Sequence, residues 1–283
     1  MKAFSTLLLL PLFVVALLLT GCDSTVTGEG ETTTVTLFLQ PVFDGAPLSS
    51  DLSTVYDLNG TAISFTSARM YISEIELVKA DGSTVPFETE PITVPAKDAN
   101  DNDITHTVTD KIVLVKHDLG THKYVLGDVE SGEYTGVRYK VGIAGTTNRV
   151  DASQVPANHP LAKQTDRNNH WSWSAGYQFV RVDGLVDSDS DGTPDEVWET
   201  HLGTANFLTD VESSLDFDLT DEEAVDVHIM LDYKSLMQDV DLSDPDQRLC
   251  HTADNLPVAN KVGSRISSSL MLHGVHESTG SGH

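Results

Sequence analysis

The sequence predicts an all-β domain of the sandwich-like type with a short C-terminal helix. Two observations carry this. Stretches of alternating apolar and polar residues recur along the chain, and turn clusters rich in Asp, Gly, Ser and Pro separate them. A third pattern, apolar residues at every fourth position, occurs late and supplies the helix. The chain has 283 residues, 39% of them hydrophobic, which suffices for a core and fits one large domain.

Taken in order, residues 1–21 read as a lipoprotein signal peptide. Lys2 precedes an apolar run from Leu7 to Leu19 that is short for a membrane span. The run ends in Leu19-Thr20-Gly21-Cys22, which resembles the site at which bacterial lipoproteins are cleaved and Cys22 is lipidated. A lipid there implies a membrane-anchored protein in the periplasm or at the cell surface. Residues 22–34, rich in Ser, Thr, Gly and Glu, read as a flexible tether. The domain proper is expected over residues 35–276, and residues 277–283 as a disordered tail.

Within the domain, Val35, Leu37 and Leu39 alternate as in a strand. Tyr71 to Val78 does the same before the Ala80-Asp81-Gly82-Ser83 turn. Asp98 to Asp103 reads as a solvated acidic loop, and Ile112 to Val115 as a short buried strand. Tyr134 to Ile143 gives another strand. Trp171, Trp173, Ala175, Tyr177 and Phe179 are expected to share one face of the next. Leu215, Phe217 and Leu219 alternate, as do Val225, Val227, Ile229 and Leu231. Val258, Val262, Ile266 and Leu270 then mark one face of a helix.

Charge excludes one class of partner. The formal net charge is -26, so nucleic acid would be repelled. A surplus of this size also suits a salt-adapted surface and a basic or neutral docking face on any partner. The two cysteines exclude a disulfide scaffold and a four-thiolate zinc site. With Cys22 taken by lipid, Cys250 has no partner in the chain and is expected to be buried.

Two constellations have the composition of metal sites. In the first, Asp187, Asp189, Asp191, Thr193 and Asp195 put oxygens at alternate positions of an acidic loop, with Gly192 permitting a sharp turn. Calcium takes about six to eight oxygens, and the spacing resembles an EF-hand or thrombospondin type 3 loop. The twelfth position is Trp198 instead of the usual Glu, so Glu196, Glu199 or a distant carboxylate would have to complete the set. In the second, His170 precedes Trp171 and Trp173, and Val197, Glu199 and His201 would share a face of a later strand. Imidazole suits copper, zinc, iron and nickel.

The segments Met70–Leu77, Ser131–Tyr139, His159-Pro160-Leu161-Ala162, Trp171-Ser172-Trp173, Gly176-Tyr177-Gln178-Phe179 and His201-Leu202-Gly203 resemble, in order and spacing, the MbnP-like family of exported copper proteins. The resemblance runs from about Val35 to Tyr233. It implies a copper-binding protein of copper homeostasis whose partner is a MauG-like diheme cytochrome c peroxidase. In that pairing the partner oxidises a Trp near the copper to kynurenine. Carried onto this chain, Trp171 or Trp173 is the candidate for oxidation, His201 the leading copper ligand and His170 the next. His117, His122 and His159 stand behind them. The chain lacks Cys-x-x-Cys-His, so the oxidising heme would belong to the partner.

Two other classes compete. A hydrolase would need a recognisable nucleophile or zinc motif, and Gly-x-Ser-x-Gly and His-Glu-x-x-His are both absent from the sequence. The chain is therefore expected not to be an enzyme. A calcium-stabilised surface adhesion module would use the indoles as a sugar-binding platform, and for that their faces must be exposed.

Overall fold

A computed structural model describes residues 31–278 apart from residue 167. The segment read as a signal peptide, Cys22, most of the segment read as a tether and the last five residues lie outside the described residues. No helix among the described residues is long and apolar enough to cross a membrane.

The first strand, β1 (Thr32–Phe43), begins inside the segment read as tether. The reason is Thr33, which is buried and whose hydroxyl donates to the carbonyl of Glu222 at 2.8 Å. Asp44 and Gly45, both with positive φ, turn the chain into β2 (Ala46–Pro47). Asn59 and Gly60 do the same between β3 (Tyr56–Leu58) and β4 (Thr61–Lys79). Turns with positive φ at both central residues match the twist of the strands they join. Asp81-Gly82 leads into β5 (Thr84–Pro86). The acidic turn at Asp98, whose carboxylate accepts from the backbone of Asn100 and Asn102, joins β6 (Glu88–Lys97) to β7 (Asp103–Asp110).

Next come β8 (Val113–Lys116), β9 (Lys123–Glu130), β10 (Glu133–Val141), β11 (His170–Ser172) and β12 (Gly176–Val186). They are followed by β13 (Glu196–Gly203), β14 (Thr209–Asp218) and β15 (Ala224–Asp232). Helix α1 (Tyr233–Met237) is capped by Asp232, and β16 (Leu249–His251) lies beyond it. The late four-residue pattern forms two helices instead of one, α2 (Leu256–Gly263) and α3 (Ile266–Ser269). Val258, Val262 and Ile266 still face the core, as the pattern required. The helices are not last: β17 (Leu270–Glu277) follows and includes Glu277, the first residue assigned to the tail.

Two main sheets result. One runs β17-β15-β1-β2, with β9 also on β1, and β1 lies parallel to β15. The other runs β14-β10-β4-β12-β13-β16, and its last pair is parallel. Between them lies the main core, which includes Leu37, Leu39, Phe65, Val182, Trp198, Leu202, Val227 and Ile229. Burying alternate residues of both inner faces is what holds a sandwich together. A second apolar cluster covers the opposite face of the larger sheet, where Tyr71, Tyr177 and Phe179 pack with Ile143, Val150 and Leu161. The candidate site lies on this second face.

Candidate metal centre

Strand alternation decides which side chains meet. Trp198, Thr200 and Leu202 of β13 are buried on the main-core side, so Glu199, His201 and Gly203 point to the second face. On β12 the residues Tyr177, Phe179, Arg181 and Asp183 share that face, apolar at one end and charged at the other. The ladder sets Arg181 opposite His201 and Asp183 opposite Glu199. On the far side of β13, His251 of β16 lies beside His201 in parallel register.

These residues form a cluster. Glu199, His201 and His251 bring one ligand atom each within 4.8 Å of one another. The two imidazole centroids are 4.8 Å apart. His201 is buried, and its Nε2 lies 2.7 Å from Asp183 Oδ1. The carboxylate accepts that N–H, which leaves the Nδ1 lone pair open. Nδ1 is buried and has no hydrogen-bond partner. A carboxylate that fixes one ring nitrogen so that the other faces a metal is a common second layer of metal sites. Asp183 is itself held by Arg181 Nε at 2.7 Å. Burial pushes its carboxyl up, but His201 and Arg181 outweigh this and hold it below the usual carboxylate range.

His251 is held by Asp254 at 2.9 Å and by Glu199 at 3.1 Å. Burial opposes its protonation, but the two carboxylates outweigh burial and raise its affinity for a proton. A proton or a metal cation can satisfy this acid-lined pair of rings. The spacing of β13 puts Glu199 and His201 on one face but carries no sign of His251. Its strand is three residues long, and its neighbour lies fifty positions away, so alternation gave no signal.

Cys250 precedes His251 and points the other way. It is fully buried, and its thiol donates to the Asn255 carbonyl at 3.4 Å. Burial pushes the thiol's pKa up, as suits an inert core cysteine.

His170 does not join the cluster. It pairs with Tyr177 across a hairpin, with ring centroids 4.7 Å apart. This corrects the expectation that Trp171, Trp173, Ala175, Tyr177 and Phe179 lie along one strand. The chain reverses after Ser172, whose hydroxyl accepts the Ala175 N–H at 3.1 Å, and Gly176 takes a positive φ. The two half-buried indoles therefore part. Trp171 lies against Gly203, where an added Cβ would meet its ring at 2.4 Å. Trp173 lies beside Lys97, 5.7 Å from ring centroid to ammonium. Around His170, the side chains of Asn168, Asn169 and Gln178 also carry buried polar atoms without partners, as does His170 Nε2.

The other histidines separate clearly. His117 has both ring nitrogens engaged, by Tyr233 at 2.8 Å and Leu39 at 2.9 Å, and ties elements of the core together. His159 accepts the Leu161 N–H at 3.2 Å and lines a cavity of about 650 Å³ beside β8. His122 is half-buried next to His117, 5.5 Å between centroids.

In the acidic loop, Asp187, Asp189 and Asp191 bring carboxylate oxygens within 4.8 Å of one another. Asp187 also accepts the N–H groups of Asp191 and Gly192, so the loop coils as the spacing required. The Asp195 carboxylate is not part of that convergence.

A family model described as MbnP matches residues 32–252. Among solved structures, MbnP from Methylosinus trichosporium aligns with 18% identity and a TM-score of 0.47, over 88% of this chain and 100% of that one. No curated protein matches.

Proposed function

This chain belongs to the MbnP family, and we propose that it is an exported copper-binding protein with its copper held by His201 and His251 beside Glu199. The observation that carries the reading is the open, buried Nδ1 of His201, with Asp183 fixing the opposite nitrogen. Two imidazoles and a carboxylate form a donor set that suits copper or zinc and not calcium or magnesium. His201 keeps the leading role expected of it, and His170 gives way to His251 as the second ligand.

The reading extends to the tryptophans. Trp171 is the better candidate for oxidation to kynurenine by a MauG-like diheme cytochrome c peroxidase, because its ring rests on the strand that carries His201. Trp173 sits instead against Lys97 of β6. In this scheme the chain is the partner that is modified and binds metal, not an enzyme in its own right. Export and lipidation at Cys22 would anchor it to a membrane facing the periplasm or the outside. Half-buried indoles, one of them packed against Gly203, suit this reading better than the open aromatic platform of a sugar-binding module.

Copper titration of the full chain tests the site. The wild type should bind about one equivalent tightly at this cluster. His201→Ala and His251→Ala should each weaken binding by more than the roughly tenfold to hundredfold typical of losing an outer partner, and Asp183→Asn by about that amount. Unchanged binding in both histidine variants would remove copper from this cluster. Intact mass of the protein from cells with and without the peroxidase reads the modification in the same preparation. A change that persists in Trp171→Phe would move it to another residue.

We assign calcium to the Asp187–Asp191 loop as a structural ion. Millimolar calcium should raise Tm in the wild type but not in Asp189→Ala. A flat wild-type response would leave the loop as a solvated turn.

A further inference from the structure

The outer face of the first sheet carries a second set of imidazoles. His228 lies on β15, and His273 and His276 lie on β17. One nitrogen from each falls within 4.8 Å of the others. Their ring centroids are 5.3 to 6.4 Å apart.

Regular pleating would not put them together, because residues 273 and 276 would point to opposite faces. The ladder pairs His228 with Gly274 but Ile229 with Leu272, so His273 is an extra residue in β17. Such a bulge shifts the alternation by one and turns His273 to the face of His276. Gly274 leaves the room this needs, since a Cβ there would meet the His276 ring at 2.8 Å. Phe38 of β1 supplies a floor, with its ring 4.1 Å from that of His228. Asp226 lies opposite His276 in the ladder. One of its carboxylate oxygens takes Lys123 at 2.6 Å, and the other is buried without a partner.

We propose that His228, His273 and His276 form a surface site for a divalent first-row transition ion of the zinc or copper(II) class, with Asp226 as the adjoining carboxylate. Three imidazoles with one open position are a recurring zinc arrangement, with bonds of about 2.0–2.1 Å. Two exposed rings and one half-buried ring whose nitrogens lie within 4.8 Å can close to that geometry by side-chain rotation. The bulge, the small residue at Gly274 and the Phe38 floor orient the rings before any ion arrives, which lowers the cost of binding. The site does not rest on the copper reading above. Two of its three ligands lie beyond residue 252, where the family match ends.

Calorimetric titration of the full chain with Zn²⁺ tests it, in the wild type and in two double variants. His201→Ala/His251→Ala should keep a zinc site. His273→Ala/His276→Ala should lose that site, with affinity down by well over tenfold. The rings are exposed or half-buried, so Tm without metal should hold. As a readout that needs no change at the new site, the ring resonances of His228, His273 and His276 should shift together on adding Zn²⁺ to His201→Ala/His251→Ala. Unchanged zinc binding in His273→Ala/His276→Ala, or ring resonances that stay still, would overturn the site. Either result leaves the copper test at His201 and His251 to stand or fall alone.

Discussion

Replacing Trp198 by Ala should cost about 3–5 kcal/mol of stability, the range for deleting a large buried aromatic. Trp198 is 0% exposed, the largest of the fully buried side chains. Its indole meets Phe65 edge-on, at 5.8 Å between centroids, and its Nε1 donates to the Leu185 carbonyl at 3.1 Å. The space for it comes from Gly184 on the neighbouring strand, where an added Cβ would lie 2.7 Å from the same Nε1 and 1.8 Å from the Ser64 carbonyl oxygen. The backbone on that side cannot collapse into the hole, so the cavity should persist and the cost should fall near the top of the range. Urea unfolding measures it as a lower midpoint at unchanged slope. A loss below about 1 kcal/mol would mean that the core repacks around the vacancy. Copper binding per folded molecule should change little, because Trp198 and His201 point to opposite faces of β13.

Trp198 also illustrates what the sequence could reveal. Read linearly, it is the residue that spoils the twelfth position of a calcium loop. In the fold it is the centre of the core, because β13 has already begun at Glu196. Elements with regular alternation were legible: Val35 to Leu39 and Val225 to Leu231 form strands with the expected faces. Tyr71 to Leu77 is a strand too, but an irregularity at Glu74, which has a positive φ, breaks its alternation, so Ile75 and Leu77 join Ile72 in the main core while Tyr71 lies on the second face. The hairpin at Trp173 to Ala175 was not, because Trp171, Trp173 and Tyr177 keep odd spacing straight through the turn. Strand β17 was hidden for the opposite reason: the extra residue at His273 breaks its alternation. The site was half legible. Spacing alone places Glu199 and His201 on one strand face, while the ligand role expected of His201 rests on the family resemblance. Asp183 and His251 reach them only through strand pairing, which a single sequence does not display.

Acid should destabilise this protein through His117. The ring is 4% exposed, deep between β1 and α1. Nε2–H donates to the Leu39 carbonyl, so Nδ1 accepts from the Tyr233 hydroxyl, and the neutral tautomer is fully satisfied. Burial disfavours the charged form and, despite the Leu39 carbonyl, pushes the pKa down to about 3 from a usual 6.5, with nearby His122 adding to the shift. Between those values the unfolded chain binds a proton at this residue and the folded chain does not. Stability therefore falls as the pH drops below about 6.5, by up to about 1.4 kcal/mol per pH unit, and the fall levels off near the folded pKa. At pH 5 the loss from this residue should be about 2 kcal/mol. His117→Gln isolates the effect, because an amide can donate to Leu39 and accept from Tyr233 but does not titrate. Carboxylates such as Asp110, which burial raises to about 6, contribute equally to both proteins and cancel in the difference. Chemical denaturation at pH 7 and pH 5 should show the wild type losing about 2 kcal/mol more than the variant. Parallel losses would mean that the folded protein admits a proton at His117, by opening the contact between β1 and α1 or by letting Tyr233 turn to accept.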